Sequence, residues 1–228
     1  MKNIVLTASI FYALIGRAQL TETEITEMRK QHLYELTDTN YHYLNTEEIS
    51  NFQGLDYYPF DTSFQLSATF DKDTGKKFKM QTSTSRLPIY RRFGYLYFTI
   101  DSVSCRLTVY QNMDLLKQNR KEYKNYLFIP FKDKTTRIST YGGGRFLDFQ
   151  KPKSSTVNLD FNMSYNPYCA YTYRYSCPIP PEENTLNVPI KAGEKIPLGH
   201  WTRNSTFFKY YFSIRTNNSD PLRGNIEL

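Results

Sequence analysis

A mainly β, antiparallel fold, a barrel or sandwich preceded by one or two helices, is what the sequence predicts. Three observations predict it. From Tyr57 onward the chain breaks into short runs of alternating apolar and polar residues, separated by polar turns and without long helices between them. Two helix-start signals stand ahead of that region. The aromatic content is 16%, with 20 Tyr, far more than a disordered chain carries.

Taken in order, Thr21-Glu22-Thr23-Glu24 has the spacing of a capping box, and Ile25, Met28, His32, Leu33 and Leu36 then recur at helical period. A helix ending near Asp38 follows. His32 on that stripe reads as a packed residue and is given no role. Asn45-Thr46-Glu47-Glu48 repeats the start signal for a short helix reaching about Phe52. Ser63 to Phe70, the turn Asp71 to Gly75 and the returning Lys76 to Ser83 read as a hairpin. Ile89 to Ile100 and Cys105 to Gln111 form a second hairpin around Asp101 to Ser104. Tyr126 to Phe131, Phe146 to Phe149 and Val157 to Phe161 continue the strand pattern, and Leu115 to Lys124 reads as a helix or a mobile loop.

Residues 1–18 read as a secretory signal: Lys2 supplies the positive start, Ile4 to Ile15 is apolar, and Gly16 and Ala18 are small at the −3 and −1 positions. Twelve apolar residues rise only ~18 Å, against a hydrocarbon core of roughly 30 Å. The expectation is therefore export, to a periplasmic or extracellular location, with Gln19 as the new N-terminus and no transmembrane segment after signal removal. Loss of Lys2 and Arg17 lowers the net charge from +7 to +5. The basic residues form no continuous stripe, which argues against nucleic acid as a partner. Residues 19–195 read as one β-rich domain. Residues 196–228, with Phe207 to Phe212 followed by a polar end, read as an atypical tail.

Cys105, Cys169 and Cys177 are the three cysteines. In an oxidising compartment Cys169 and Cys177 are close enough in sequence to form a disulfide, which would stabilise by ~2.6 kcal/mol, and Cys105 would be a buried thiol. Free thiols remain the alternative. No metal or cofactor is expected: there is no Cys-x-x-Cys pair, and His32, His42 and His200 are distant in sequence.

Two stretches have the composition of a site. The run Thr140-Tyr141-Gly142-Gly143-Gly144-Arg145-Phe146-Leu147-Asp148 has three glycines, which permit positive φ and can turn backbone N–H groups into one concavity. An ordinary glycine turn is the alternative. It matches neither a Walker loop nor a dinucleotide fingerprint. Arg145 is suited to grip a carboxylate in bidentate fashion, or to pair with Asp133, Asp148 or Asp160. The second stretch, Asp160 to Tyr171, is closed by Cys177-Pro178-Ile179-Pro180-Pro181 and is rich in tyrosine and turn formers. Its tyrosines either stack on a flat ligand or pack with their hydroxyls bonded.

At these residues the chain resembles a bacterial and archaeal domain-of-unknown-function family. Its members carry Phe-Arg-Asp, Thr-Tyr-Gly-x-Gly-Arg-Tyr-Leu-Asp, Asp-Phe-Asn-x-x-Tyr-Asn-Pro-x-Cys-Ala-Tyr, Cys-Pro-x-Pro-Pro-x-Glu-Asn and Ala-Gly-Glu-Lys segments. Here these are Phe131 to Asp133, Thr140 to Asp148, Asp160 to Tyr171, Cys177 to Asn184 and Ala192 to Lys195. The resemblance covers about residues 21 to 195 and implies no activity. It departs at Thr136, Arg137 and Ser139, which stand where the family pattern has a small residue, a glycine and a glutamate.

The functional expectation is a pocket for a small polar or anionic molecule, built from Asp133, Tyr141, Gly142, Gly143, Gly144, Arg145, Asp148, Asp160, Asn162, Tyr165 and Asn166. Arg145 would hold charge, Tyr141 and Tyr165 would stack, and Asn162 and Asn166 would order the loop. The alternatives are a hydrolytic enzyme using Asp133, Asp148 or Asp160 near Arg145, and a structural envelope-interaction module.

Overall fold

The computed structural model describes residues 19–198. The expected signal segment, and the expected tail apart from its first three residues, lie outside the described residues. Two capped helices come first. Helix α1 spans Glu22–Thr37, with Thr21 as N-cap and the reciprocal Glu24 bond completing the capping box. Helix α2 spans Thr46–Asn51 and is closed the same way by Asn45 and Glu48. Each box satisfies otherwise unpaired N–H groups, which is why both boundaries fall where the local sequence puts them.

The rest is mainly antiparallel β. Strands β1 (Gln65–Asp71), β2 (Lys77–Lys79), β3 (Ile89–Ile100), β4 (Val103–Asn112), β5 (Tyr126–Phe131), β6 (Arg145–Gln150) and β7 (Thr156–Asp160) form one half-barrel sheet. Its order is β6-β5-β4-β3-β1-β7, with β2 also on β3. Strands β3 and β4 are joined through Asp101 and Ser102, both at positive φ, as a two-residue turn matching strand twist requires. A short helix α3 (Met113–Lys117) and a 3-10 turn at Lys121–Tyr123 occupy the stretch read as helix or loop.

The first expected hairpin is not one. Strand β1 pairs with Tyr95–Tyr97 of β3 and β2 pairs with Ile89–Arg91, so the two run in one direction along the same side of β3. They are a single strand interrupted by a loop at residues 72–76. The loop is pinned where β3 itself is irregular, between Arg92 and Gly94: Gly75 N–H donates to Arg92 O, and Arg92 pairs with Asp73 at 2.8 Å. Gly94 is required there, since a Cβ would lie 2.4 Å from Asp71 O.

Leu96, Leu107, Val109, Leu127, Ile129, Phe131 and Leu159 form the sheet's core. The irregular segment after β7 completes it with Leu186, Val188, Ile190 and Ala192, spaced at every second position. Asn184 holds this segment to the sheet where β4 and β5 barely pair. Its Oδ1 accepts from Thr108 N–H at 2.7 Å, and its Nδ2 donates to Thr108 O and Pro130 O.

Candidate functional site

Helix α1 is anchored near its two ends by Ile25 and Leu36, both buried. Under its middle lies a cleft of about 180 Å³. Met28, His32 and Glu35 recur at the i, i+4, i+7 spacing of one helix face and, with Arg29 and Gln31, form the helical wall. Asp148 of β6 faces them, together with the 161–168 segment that follows β7; Tyr43 and Tyr57 close the sides. An isolated bridge, Phe146↔Tyr165, fastens that segment to β6. The two stretches singled out in the sequence therefore pack against each other.

Of the eleven residues expected to form a pocket, Asp148, Asn162 and Tyr165 line the cleft. The others are used elsewhere. Arg145, expected to hold a ligand's charge, is 1% exposed and pairs with Asp133 at 2.8 Å. It also donates to the carbonyls of Ile190, Ala192 and Glu194. A guanidinium so enclosed ties β6 to the 190–194 segment and does not reach the cleft. Asp133 is the matching structural acceptor, taking Thr135 N–H and Ile190 N–H as well.

Asp160 caps the turn at Phe161–Met163 through Asn162 N–H and also accepts from Gln65. The side chain of Asn162 is consumed by Asp61 and Asp160. Asn166 is buried, bonded to Tyr171, Lys195 O and Glu194. The three aspartates therefore do not converge. The tri-glycine run forms a packed turn in place of an anion cradle: Gly144 N–H donates to Tyr141 O, and a Cβ on Gly144 would lie 2.6 Å from Phe131 O. Tyr141 points to Cys169, its hydroxyl 3.5 Å from the carbonyl.

The expected disulfide is absent, and Cys105, Cys169 and Cys177 are free thiols. The turn at Tyr168–Ala170 aims Cys169 N–H at Cys177 Sγ, 3.2 Å away, a backbone-to-side-chain hydrogen bond. The side-chain interaction between the two thiols lowers the Cys169 pKa and raises that of Cys177, the latter opposed by the backbone N–H.

The chemistry of the cleft centres on Asp148. The hydroxyls of Tyr126 and Tyr165 both donate to its Oδ1 at 2.7 Å. Among the described residues its Oδ2 receives no hydrogen bond, and it is not sealed from the cleft. Burial raises the Asp148 carboxyl above its usual range, opposed by the two hydroxyls. Burial also drives both tyrosines far upward, so they keep their protons and act as hydrogen-bond donors.

Opposite them, burial pushes His32 down to about 4, leaving a neutral imidazole at physiological pH. Its Nδ1 lies 3.3 Å from the Tyr57 hydroxyl. Burial keeps the proton on that hydroxyl, and it has no other acceptor among the described residues; the imidazole N–H is thereby assigned to Nε2. Arg29 lies over the Tyr57 ring at 4.4 Å and donates to Tyr58 O and Asn162 O, each at 3.3 Å.

Sequence reasoning missed Arg29, His32, Tyr43 and Tyr57. The only signal was the α1 stripe, whose polar members at Arg29 and His32 sit where a purely structural helix would have apolar ones.

A family model described as "Protein of unknown function (DUF1684)" matches residues 50–195. The solution NMR structure of an uncharacterized protein of Haloarcula marismortui is similar, with 31% sequence identity and a TM-score of 0.59. The match covers 78% of this chain and 96% of that one. No curated protein matches the sequence.

Proposed function

The chain belongs to the DUF1684 family of proteins of unknown function, and from its cleft we propose that it binds a small polar molecule between α1 and the sheet. One observation carries this reading: Asp148 is held rigidly by two tyrosines yet keeps one carboxylate oxygen open to the cleft. An acceptor left open in a concave aromatic site is characteristic of ligand pockets. His32 Nε2–H on the opposite wall supplies a donor, so the site offers both polarities to a ligand. The aromatic walls of Tyr43, Tyr165 and Tyr168 supply contact area.

The sequence pattern of residues 1–18 supports export, so the ligand is one met outside the cytoplasm. N-terminal sequencing of the secreted chain should begin at Gln19. Binding is tested by a thermal-shift screen of polar metabolites, repeated with Asp148→Asn and His32→Leu. A hit should raise the melting temperature of the native protein and lose most of that shift in both variants. Hits whose shift survives both substitutions place binding elsewhere and end this reading.

A further inference from the structure

We propose that the ligand presents a protonated amine, seated on Asp148 Oδ2 among the cleft tyrosines; this rests on the cleft being the binding site. Asp148 is half-buried with no cation beside it among the described residues, and two neutral hydroxyls on one of its oxygens compensate its charge only in part. No ion pair engages Asp148 among the described residues. An ammonium N–H on Oδ2 would form a charge-assisted hydrogen bond at the one open position.

The walls fit the same group. Tyr43, Tyr165 and Tyr168 line the cleft, Tyr43 and Tyr168 stacked on each other at 4.5 Å, and these rings offer contact area for the carbon skeleton of an amine. Met28 and Met163 add polarizable thioethers. A second carboxylate, Glu35, lines this end of the cleft, and both it and Asp148 act electrostatically on Tyr168. The cation already in the wall forms no ion pair with Asp148. Arg29 donates from its two terminal nitrogens to backbone carbonyls and lies over the Tyr57 ring, with its Nε unpartnered among the described residues, and the acids that act on it are Asp160, Glu194 and Glu22. An anionic ligand would meet the negative charge of Asp148; an amine supplies the cation that Asp148 lacks among the described residues.

Matched probes of nearly equal shape decide the matter: benzylamine against benzyl alcohol, and isobutylamine against isobutanol. Each is titrated into the labelled full chain and followed by amide chemical shifts at neutral pH. The amine of each pair should bind at least tenfold tighter, shifting resonances of α1 and of residues 161–168, and Asp148→Asn should bring the members of each pair level. Equal binding of amine and alcohol by the native protein, or a preference that survives Asp148→Asn, overturns the amine while leaving the cleft as a binding site. If no probe perturbs cleft resonances, the cleft reading falls and the amine with it. Should Asp148→Asn fail to fold, Glu35→Gln serves as the second variant, with a partial loss of preference expected and an unchanged preference counting against the amine.

Discussion

Arg145 has no water to turn to. Its guanidinium is enclosed with Asp133 and three carbonyls, so truncating it leaves the Asp133 carboxylate buried beside unpaired backbone acceptors. Arg145→Ala should cost about 3–5 kcal/mol in a urea titration, with ligand affinity per folded molecule unchanged. A loss under 1 kcal/mol would show that the pair is not structural.

Glu194 makes a second prediction at this scale. Burial raises its carboxyl to about 8, with Oε2 on Asn166 N–H and Oε1 unpartnered among the described residues. A carboxyl raised in the folded state favours folding fully below its unfolded value of 4.5, and that contribution is lost as pH rises through about 8. His32 has the opposite sign: lowered to about 4, it favours folding above 6.5 and loses this as pH falls. Between 4.5 and 6.5 the two slopes oppose each other. From 6.5 to 8 Glu194 alone of these two acts, and its contribution to stability should fall by about 1.4 kcal/mol per pH unit. Glu194→Gln should flatten that fall in denaturant titrations across the range; an unaltered slope would assign it to another group.

Asp148, Asn162 and Tyr165, which line the cleft, stood out in the sequence because they sit in glycine-rich and tyrosine-rich polar segments unlike ordinary strand. Arg145 misled because a charge-bearing fork beside three glycines has one sequence signature whether its partner is a ligand or an inner carboxylate.

Among the elements, those set by neighbours in sequence were readable to the residue. Both capping boxes close over three positions, and α1 and α2 begin where those boxes put them. The β1–β2 relation was not readable, because Asp71 to Gly75 has turn chemistry while the strand partner, β3, comes later in the chain. The 133–141 turn shows the same tension between local preference and fold. Arg137 stands at φ 69° where the family pattern has glycine, and it is closed by Arg137 N–H to Thr140 O. A left-handed non-glycine residue costs roughly 1–2 kcal/mol, and glycine's added entropy costs about 0.5–1. Arg137→Gly should therefore stabilise by roughly 0.5–1 kcal/mol. Destabilisation would mean that the Arg137 side chain, which packs over Gly142, contributes more than its backbone strain removes.

At the scale of the molecule, the cleft lies under the middle of α1 because the helix's buried apolar anchors stand near its ends, and between them it is held by polar contacts of Arg29 and His32. Ile25 and Leu36 are eleven residues apart, a rise of about 16 Å, and the helix between them bridges a space that the chain leaves unfilled. A span of this kind opens more readily than the paired strands beneath it, since local stability follows buried apolar contact. Ligand in the cleft replaces the missing contacts. A ligand at a hundred times its Kd stabilises the bound form by about 2.7 kcal/mol. Part of that should appear in α1 as slower opening. Hydrogen exchange with and without a screened ligand should thus slow most at the amides of residues 28–36, less in the 161–168 segment, and least in β3 and β4, whose opening already requires global unfolding. Uniform slowing across the sheet and α1 alike would mean that the helix opens only with the whole fold, and that the cleft is a rigid feature of the half-barrel, not a span the ligand completes.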